Sequence, residues 1–498
     1  MKIYKSFEQA KNGTTIPVFI SGKTMESRYN PERDAETLCN SIEDGFNFFL
    51  VLGIGSGLFI QKLSERFPVS RIIALELYQD DIDFLEQSEI IKDLKNNPQI
   101  TFCTLNSLEN ILSQNYIPAK YWDLKIIEQR AWVNENKDFI PQINSILKKT
   151  IGIISADFSV QSHFGKIWTS NILNNARLAE KVFNESKNDF SLSNYFSKEI
   201  LQKTAVIIAA GPTLDKTISI LNDRNNYFII ATDTAGSSLI KQNIIPDVIV
   251  SIDGQNVSYN HFIDASSTLY AFDLCANFSA AKHIADNGNQ IFFFCSGHPL
   301  ANAINACCGN VFPTLFSGAG TVTLTATDLA VKAGFKNILV LGADFSYSHG
   351  KSYTKGTYLD TLYNKNSILI DSAEKLFSKL MFRTELQKSG KTYTTPILEA
   401  YKTSFEKYLQ LENISFTKEN DIYKLSASDN KTELDSFKVS KNISLSTFFD
   451  KLNACTPEEA EILLLPYIAW LKNNKIYKNY TYSELLKLAF NTIVSYNI

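Results

Sequence analysis

A glycine turn near the middle of the chain carries residue types that bind phosphate groups. Residues 209–215 read AAGPTLD; they end an apolar run that begins at position 205 and open a helical pattern. Gly211 permits close backbone approach, and Pro212 at a helix start costs no hydrogen bond because that N–H is unpaired anyway. The N–H groups of Thr213 and Leu214, with the Thr213 hydroxyl, make a donor cluster of phosphate size. The turn is too short for a P-loop and no GK[ST] follows, so it predicts a phosphate site of another kind.

Polar groups also follow the other apolar runs of this region, where parallel strands would end. They are Thr232, Asp233 and Thr234; Asp253, Gly254 and Gln255; Asn277; Ser296, Gly297 and His298; Ser317, Gly318, Gly320 and Thr321; and Asp344. Asp and Ser are ordinary helix caps, so each group alone says little. In an open parallel sheet, however, a ligand lies outside the carboxyl ends of the strands. Six consecutive strand ends of this character predict a nucleotide-type site.

A second glycine loop lies near the start of the chain. Gly53, Gly55 and Gly57 follow an apolar strand and precede a helical pattern, and Glu76 ends the next strand about twenty residues on. The layout resembles the first two motifs of S-adenosylmethionine-dependent methyltransferases. The same layout also packs any first strand against its helix, and no catalytic methyltransferase motif follows. We therefore expect a degenerate nucleotide-fold domain that serves as scaffold or partner-binding surface, with a working methyltransferase as the alternative.

The elements that position these residues are short β-rich runs separated by helix-length segments. In the central region the runs cover 205–211, 228–233, 248–253, 269–274, 290–296 and 337–344. This alternation predicts an α/β fold with two Rossmann-like parallel-sheet domains, followed by a C-terminal helical region. The expected domains are 1–150, N-terminal; 151–200, a helical connector; 201–365, central and nucleotide-sugar-binding; and 366–498, C-terminal and mainly helical.

Composition limits the classes of partner. The net charge of −3 argues against a general binder of nucleic acid or of anionic membranes. The most apolar run, 46–60, is shorter than the ~20 residues of a membrane span, and the opening residues lack a secretory pattern. The seven cysteines form no CxxC pair, so neither a disulfide framework nor a zinc site is expected. These features predict a cytoplasmic protein without a bound metal.

Several motifs resemble known families. The GPTLD turn, the SADFS…W…N helix before it and the stretch PDVIVSIDGQ look like the DUF115 family. That family contains the motility accessory factor (Maf) flagellin glycosyltransferases and archaeal-type hydroxymethylpterin diphosphokinases. The stretch SRYNPERDAE also looks like Maf proteins, and residues 316–353 are similar to bacterial sialyltransferases that use CMP-activated sialic acid. Together the similarities cover roughly residues 25–360.

The resemblance implies transfer of a nonulosonic acid of the pseudaminic or legionaminic type from its CMP donor to Ser or Thr hydroxyls of flagellin, with no cofactor required. Carried over by position, the nucleotide-phosphate loop is formed by Gly211, Pro212 and Thr213, and the ribose or sugar is approached by Asn277 or Asp253. The resemblance assigns the sugar carboxylate and cytidine to Ser317, Gly318 and Thr321. It assigns the leaving phosphate to Tyr347 and Tyr353. The spacing around Tyr347 differs by about one residue, so that match is looser.

The general base is where this sequence departs from the sialyltransferases. Their histidine lies well downstream of the second tyrosine, whereas no histidine follows His349 here. The candidates are His298, His349, Asp344 and Asp253, of which we favour an aspartate.

One face of the connector helix carries Trp168, Asn171 and Asn175. This face either closes over the donor or packs on the sheet.

Two other functions stay open at this stage. A pterin-type diphosphokinase would use ATP and hold Mg²⁺ on strand-end carboxylates such as Asp233 and Asp253. A non-catalytic flagellin-binding assembly factor would carry a vestigial nucleotide site.

Overall fold

The computed structural model describes residues 2–121, 123–185, 195–264, 266, 268–318, 320–348, 350–390, 392–427 and 443–496. His349, one of the candidate bases, lies outside these residues. The chain divides into two compact units, Met1–Gly165 with Leu465–Leu485, and Lys166–Leu464 with Leu486–Ile498.

The N-terminal unit is built on a four-stranded parallel sheet. The strands that the structure describes in this unit are β1 (Tyr4–Gln9), β2 (Thr15–Phe19), β3 (Phe48–Leu52), β4 (Arg71–Glu76), β5 (Ile100–Thr104) and β6 (Leu124–Glu128), and the last four form the sheet. β1 and β2 form a separate antiparallel hairpin, and the sheet order is β5-β4-β3-β6. Every residue of β3 is buried, because a parallel sheet covered on both faces selects a continuous apolar run. The helices of this unit are Pro31–Asn40, Leu58–Arg66, Gln79–Leu85, Glu89–Asn96, Leu108–Asn115 and Arg130–Glu135.

A single helix of 46 residues, Ile140–Glu185, covers most of the segment predicted as a connector. The divide between the two units falls within it, between Gly165 and Lys166. A Cβ at Gly165 would clash with the carbonyl oxygen of Pro466, so glycine allows this close backbone approach.

The central sheet has eight strands in the order β11-β10-β9-β8-β7-β12-β16-β15. Its strands are β7 (Thr204–Ile208), β8 (Tyr227–Thr232), β9 (Val248–Ser251), β10 (Leu269–Asp273), β11 (Ile291–Phe294), β12 (Asn337–Leu341), β15 (Ser415–Glu419) and β16 (Ile422–Ser426); β13 (Gln387–Ser389) and β14 (Thr392–Thr394) form a hairpin elsewhere. The six strands β7–β12 are parallel. The predicted α/β class with two parallel-sheet domains is confirmed.

The C-terminal region also supplies strands to this sheet. β16 pairs antiparallel with β12, and β15 pairs antiparallel with β16. Tyr423 and Leu425 are buried while Lys424 and Ser426 are exposed, which is the alternation of a half-buried strand. The region predicted as mainly helical therefore completes one side of the central sheet.

Helices fill the rest of the central unit and the end of the chain. They are Lys198–Leu201, Leu214–Thr217, Asp233–Lys241, Phe278–Asp286, Pro299–Cys307, Val322–Ala333, Tyr358–Lys365, Ala373–Met381, Pro396–Leu411, Ser446–Ala454, Glu461–Asn473 and Tyr482–Ser495, with short 3₁₀ segments at Ile218–Asn222, Arg224–Asn226, Asn256–Phe262 and Lys475–Tyr477. Among the helices that the structure describes, none combines the length and the apolar character needed to cross a membrane.

Candidate functional site at the carboxyl edge of the central sheet

Two glycine turns meet where the strand order reverses, between β7 and β12. The N–H of Gly211 donates to the carbonyl oxygen of Gly342 at 2.9 Å. A Cβ at Gly211 would clash with that oxygen, and a Cβ at Gly342 would clash with the carbonyl oxygen of Ala209. Gly342 also has φ of +67°, which favours glycine. Close packing of two turns therefore requires glycine at both positions.

The donors of the GPTLD turn are engaged by the chain itself. The N–H of Thr213 donates to Oδ2 of Asp344 at 2.9 Å, and the Thr213 hydroxyl donates to Oδ1 of the same carboxylate. The N–H of Leu214 donates to the carbonyl of Gly211 at 3.0 Å, and Pro212 has no N–H to offer. The cluster that the sequence predicts for a phosphate thus holds the Asp344 carboxylate in this structure.

The loop that carries Tyr353 is fastened onto the same turn through Asp215. The Thr354 hydroxyl and the N–H of Lys355 donate to Oδ1 of Asp215, and the Lys351 ammonium lies 3.4 Å from Oδ2. Burial alone would raise the pKa of Asp215, but these hydrogen bonds and the Lys351 charge hold it below its usual value. A bond of 2.9 Å from the N–H of Thr354 to the carbonyl of Ala210 completes the attachment.

Four phenols gather beside this loop. Burial raises the pKa of Tyr353 to about 12, with additional repulsion from Tyr347, Tyr358 and Asp233 and from Tyr401. Burial is also the main reason that the pKa values of Tyr347, Tyr358 and Tyr401 are raised. Like any phenol with a pKa of 10 or above, all four keep their protons near neutral pH and can donate hydrogen bonds to a ligand.

Asp253 is the carboxylate of this cluster. Burial raises its pKa, an accepted hydrogen bond of 2.9 Å from the N–H of Gln255 opposes this rise, and the charge of Asp233 adds to it. Asp253 in turn contributes to the raised pKa values of Tyr358 and Tyr401, so the carboxylate lies within electrostatic reach of these two phenols. We call Asp253 with Tyr347, Tyr353, Tyr358 and Tyr401 the phenol cluster.

Asp233 has a different role, since its oxygens are fully used. Oδ1 accepts from the N–H and hydroxyl of Thr234 at 2.6 and 3.1 Å, and Oδ2 accepts from the Ser251 hydroxyl at 2.7 Å. Asp233 is only 3% exposed, so these bonds satisfy a buried charge and tie β8 to β9.

His298 caps a helix. Its Nδ1 accepts from the N–H of Leu300 at 3.2 Å at the start of Pro299–Cys307, and burial lowers its pKa to about 4. The neutral ring then carries its proton on Nε2, which is buried and has no hydrogen-bond partner among the described residues. In this tautomer His298 is a donor and not a base. Ser296 opposes the rise that burial causes in the pKa of Asp273, to about 6, and Gly297 turns the chain with φ of +107°.

The predicted helix face packs on the ends of the strands. Nδ2 of Asn171 donates to the carbonyls of Gly254 and Cys275, and Nδ2 of Asn175 donates to those of Leu274 and Ala276, all at 2.8–3.0 Å. Trp168 lies edge-on to His298, with 5.8 Å between the ring centroids.

Gly254 and Asn277 also serve these loops. A Cβ at Gly254 would lie 2.8 Å from the carbonyl oxygen of Cys275 and 3.3 Å from Trp168. Asn277 accepts from the N–H of Ala280 at 2.9 Å as a helix cap and donates to Asn256 at 3.2 Å. The loops after β9 and β10 are therefore held in place by contacts with the helix Ile140–Glu185 and with each other.

The SGAGT turn precedes the buried helix Val322–Ala333. The N–H groups of Gly320 and Thr321 donate to the carbonyl of Ser317 at 2.9 and 3.2 Å. Gly318 and Gly320 have φ of +55° and +89° and are exposed, while Thr321 is buried. The chain itself engages these two N–H groups, and the turn stands at a helix start, where the helix dipole favours negative charge.

Sequence patterns predict no site role for the helix Pro396–Leu411, yet this helix packs against the edge. Tyr401 belongs to the phenol cluster, and a Cβ at Gly318 would clash with the hydroxyl of Ser404 one turn later. The Tyr408 hydroxyl donates to buried Asp328 at 2.7 Å, and Phe405 contacts Phe345 with 5.8 Å between the centroids. An aromatic pattern at positions 401, 405 and 408 was the available signal for a buried helix face.

The fold and site define a doubly wound α/β protein whose tyrosines and carboxylates gather at the carboxyl edge of its central sheet. Residues 170–350 match the family model described as 6-hydroxymethylpterin diphosphokinase MptE-like. This match confirms the DUF115-type resemblance for the central part of the chain. The similarity of residues 316–353 to sialyltransferases stays a prediction.

Three proteins of Treponema pallidum (strain Nichols), each described as an uncharacterized protein, are similar in sequence. The first is 37% identical over 27% of this chain and 49% of its own length, and the second is 33% identical over 32% of this chain and 72% of its own length. The third is 26% identical over 39% of this chain and 33% of its own length. The chain belongs to the same family as the second protein, and it spans about half the length of the first.

A solved structure of a Maf glycosyltransferase from Magnetospirillum magneticum AMB-1 aligns with 98% of this chain and 90% of its own. The TM-score is 0.48 at 12% sequence identity, values too low to carry a conclusion about fold or function.

Proposed function

We propose that this protein is a glycosyltransferase whose reaction takes place at the phenol cluster. The observation that carries this proposal is that four protonated phenols and one half-buried carboxylate, Asp253, gather at the carboxyl edge of the central sheet. Ligands of open α/β sheets bind at this edge.

The phenols supply the stabilisation that departure of a nucleotide needs. When a glycosyl–phosphate bond breaks, negative charge grows on the phosphate oxygen, and donors already in place stabilise it without reorganisation. Tyr353 and Tyr347 are the donors for this role, because the sialyltransferase resemblance assigns them to the leaving phosphate and both phenols are protonated near neutral pH. The GPTLD turn acts by fixing the Tyr353 loop, since its own N–H groups are engaged by Asp344 and Gly211.

Asp253 is the general base for the acceptor hydroxyl. Burial raises the pKa of Asp253, and a carboxylate with a raised pKa is a stronger base than an exposed one. Asp344 is bonded to Thr213, Asp233 to Thr234 and Ser251, and His298 presents a donor, so these residues position the site.

The donor in this proposal is a CMP-activated nonulosonic acid of the pseudaminic or legionaminic type, and the acceptor is a Ser or Thr hydroxyl of flagellin in the cytoplasm. The similarity of residues 316–353 to sialyltransferases supports the donor. The SGAGT turn lies at the start of the helix Val322–Ala333, and the start of a helix favours a negative charge such as that of the sugar carboxylate. No cofactor enters this reaction.

The test follows CMP release and sugar transfer with CMP-pseudaminic and CMP-legionaminic acid and flagellin. We expect Asp253→Asn to lower kcat by about 10²–10⁴-fold and Tyr353→Phe by about 10²-fold. Tyr393→Phe is the matched control, since the residue is 45% exposed and it contacts Tyr347 through main-chain bonds. Unchanged transfer in Asp253→Asn, or no transfer by the wild type with either donor, would contradict the proposal.

The family-model match favours one second candidate, a diphosphokinase acting on hydroxymethylpterin with ATP and Mg²⁺. Asp233 and Asp253 would hold the metal, and Asp233 would have to give up its bonds to Thr234 and Ser251. Pterin-dependent AMP release from ATP that requires Mg²⁺, without CMP-sugar turnover, would select this candidate.

A further inference from the structure

A tight turn between two helices of the central unit carries aliphatic side chains at its tip. The N–H of Ile368 donates to the carbonyl of Asp371 at 3.1 Å, and the N–H of Asp371 donates to the carbonyl of Ile368 at 3.0 Å. Leu369 and Ile370 are the two central residues between these bonds. Such positions normally hold Gly, Asn, Asp or Pro, whose backbone preferences or side-chain bonds favour a turn. The turn itself therefore does not explain why Leu and Ile stand there.

The side chains of this turn are open to solvent. Leu369 is fully exposed, Ile370 is 78% exposed and Ile368 is 58% exposed. Single exposed aliphatic residues are common on protein surfaces, but three in succession at a projecting turn form one apolar patch. Leaving them in water forgoes the hydrophobic stabilisation that burial against a partner would recover. We call Ile368, Leu369 and Ile370 the apolar tip.

Two helices hold the apolar tip in place. Tyr358–Lys365 precedes it and Ala373–Met381 follows it. The rings of Tyr363 and Phe377 pack edge-on across this pair, with 4.8 Å between the centroids. The Ser372 hydroxyl caps the second helix by accepting a main-chain N–H of its first turn at 3.4 Å. The apolar tip is therefore a built projection of the fold.

Cationic side chains stand at the base of the apolar tip. Nζ of Lys375 donates to the carbonyl of Ile370 at 3.0 Å and lies 2.9 Å from Oδ1 of Asp371. The Lys379 ammonium lies 3.2 Å from the same carboxylate oxygen, so two ammonium groups share one carboxylate. Lys365, just before the turn, makes no ion pair with any residue that the structure describes. The base of the tip thus carries an excess of positive charge.

The charge around the apolar tip is opposite in sign to that of the whole chain. Residues 365–383 carry four cationic and two acidic side chains, whereas the chain has a net charge of −3. This arrangement matches the boundary of an anionic lipid layer, where aliphatic side chains enter the acyl region and lysines stay at the headgroups. A standard protein interface buries about 800 Å² on each partner and needs a matching shape. Three aliphatic side chains supply only part of that area, and a lipid layer needs no matching shape.

We propose that the apolar tip and the lysines at its base form a docking site for an anionic lipid surface. The helix that leads to the tip begins at Tyr358, and its eight residues span about 12 Å. Docking therefore brings the phenol cluster close to the lipid surface. The anchor is weak and reversible, because three aliphatic side chains and a few lysines contribute little compared with a spanning helix. Docking does not depend on the transferase reaction, so its test does not require that reaction.

The test is co-sedimentation of the full chain with vesicles of phosphatidylcholine alone and of phosphatidylcholine with an equal part of phosphatidylglycerol. We expect the chain to bind the anionic vesicles and not the neutral ones, and to bind less as salt is added. Leu369→Ser/Ile370→Ser should weaken binding by at least about tenfold, because aliphatic groups no longer enter the acyl region. Lys365→Gln should weaken it by about fivefold. The control Val69→Ser, at a position 87% exposed in the N-terminal unit, should bind as the wild type does.

The outcomes distinguish a lipid surface from other occupants of the tip. Leu369→Glu, at a fully exposed position, should keep the wild-type Tm and also lose binding, and it replaces the double variant if that does not fold. A wild type that fails to bind anionic vesicles would overturn the proposal, as would equal binding to both lipid compositions or wild-type binding by the folded tip variants. Self-association in analytical ultracentrifugation that the tip variants abolish, without vesicle binding, would assign the tip to a second copy of the chain and also overturn it.

Discussion

The N-terminal unit should become more stable as the pH falls from about 8 to about 5. Glu76 is fully buried, and burial raises its pKa from 4.5 to about 7 despite bonds from Ile54, Trp132 and Tyr4. The folded state therefore holds a proton that the unfolded state releases, so this stabilisation is complete below about pH 4.5 and is lost as the pH rises through about 7. The rise in pKa corresponds to about 3 kcal/mol.

Hydrogen exchange of β3 and β4, corrected for intrinsic rates, measures the effect. Between about pH 8 and about pH 5 we expect Glu76 to raise the free energy of unfolding by about 2–3 kcal/mol, or about 5–10 °C in Tm, in addition to the part that Glu26 supplies. Glu76→Gln should flatten this dependence to the part that Glu26 supplies, whereas Glu128→Gln, at the exposed end of β6, should keep it whole. Protection that falls on acidification, or a full pH dependence in Glu76→Gln, would refute the reasoning.

Three further predictions concern two packing contacts and the accessibility of the cysteines. Gly211→Ala should destabilise the central unit by about 1–3 kcal/mol, because its Cβ clashes with the neighbouring turn. Gly152→Ala, the control at a helical position with open space, should leave Tm unchanged or raise it. Equal Tm values for the two variants would contradict the geometry. Asn175→Ala leaves two buried carbonyls unpaired and should cost about 2 kcal/mol or more in a denaturant titration, while Asn174→Ala, which bonds within its own helix, should cost less than half of that. In the native protein iodoacetamide should alkylate the exposed Cys455 first, read by peptide mass spectrometry, and faster labelling of the buried cysteines would show that the core opens.

Much of the fold could be predicted because buried parallel strands are continuous apolar runs. The central strands follow the expected segments, and the polar residues at their ends do meet at one edge of the sheet. Local pattern also suggested that Gly211 lies in a tight turn, and its contact with Gly342 gives the reason.

The partners of these residues could not be predicted from local pattern, since they come from distant parts of the chain. Asp344 binds Thr213 across 131 positions, and Glu26 reaches Ser56 across 30. Carboxylates and phosphates satisfy the same N–H donors, so a sequence that suits one suits the other. Tyr401 could not be predicted as a site residue, because a tyrosine in an amphipathic helix is equally typical of core packing.

The hairpin of β15 and β16 protects the central sheet from association. Without it, β12, whose residues are NILVL, would present unpaired main-chain groups along an apolar edge. β15 instead presents the polar sequence SFTKE on the outside, with Lys418 and Glu419 discouraging another strand from adding there. A chain that stops after Leu411 would expose β12, and its copies would aggregate edge to edge.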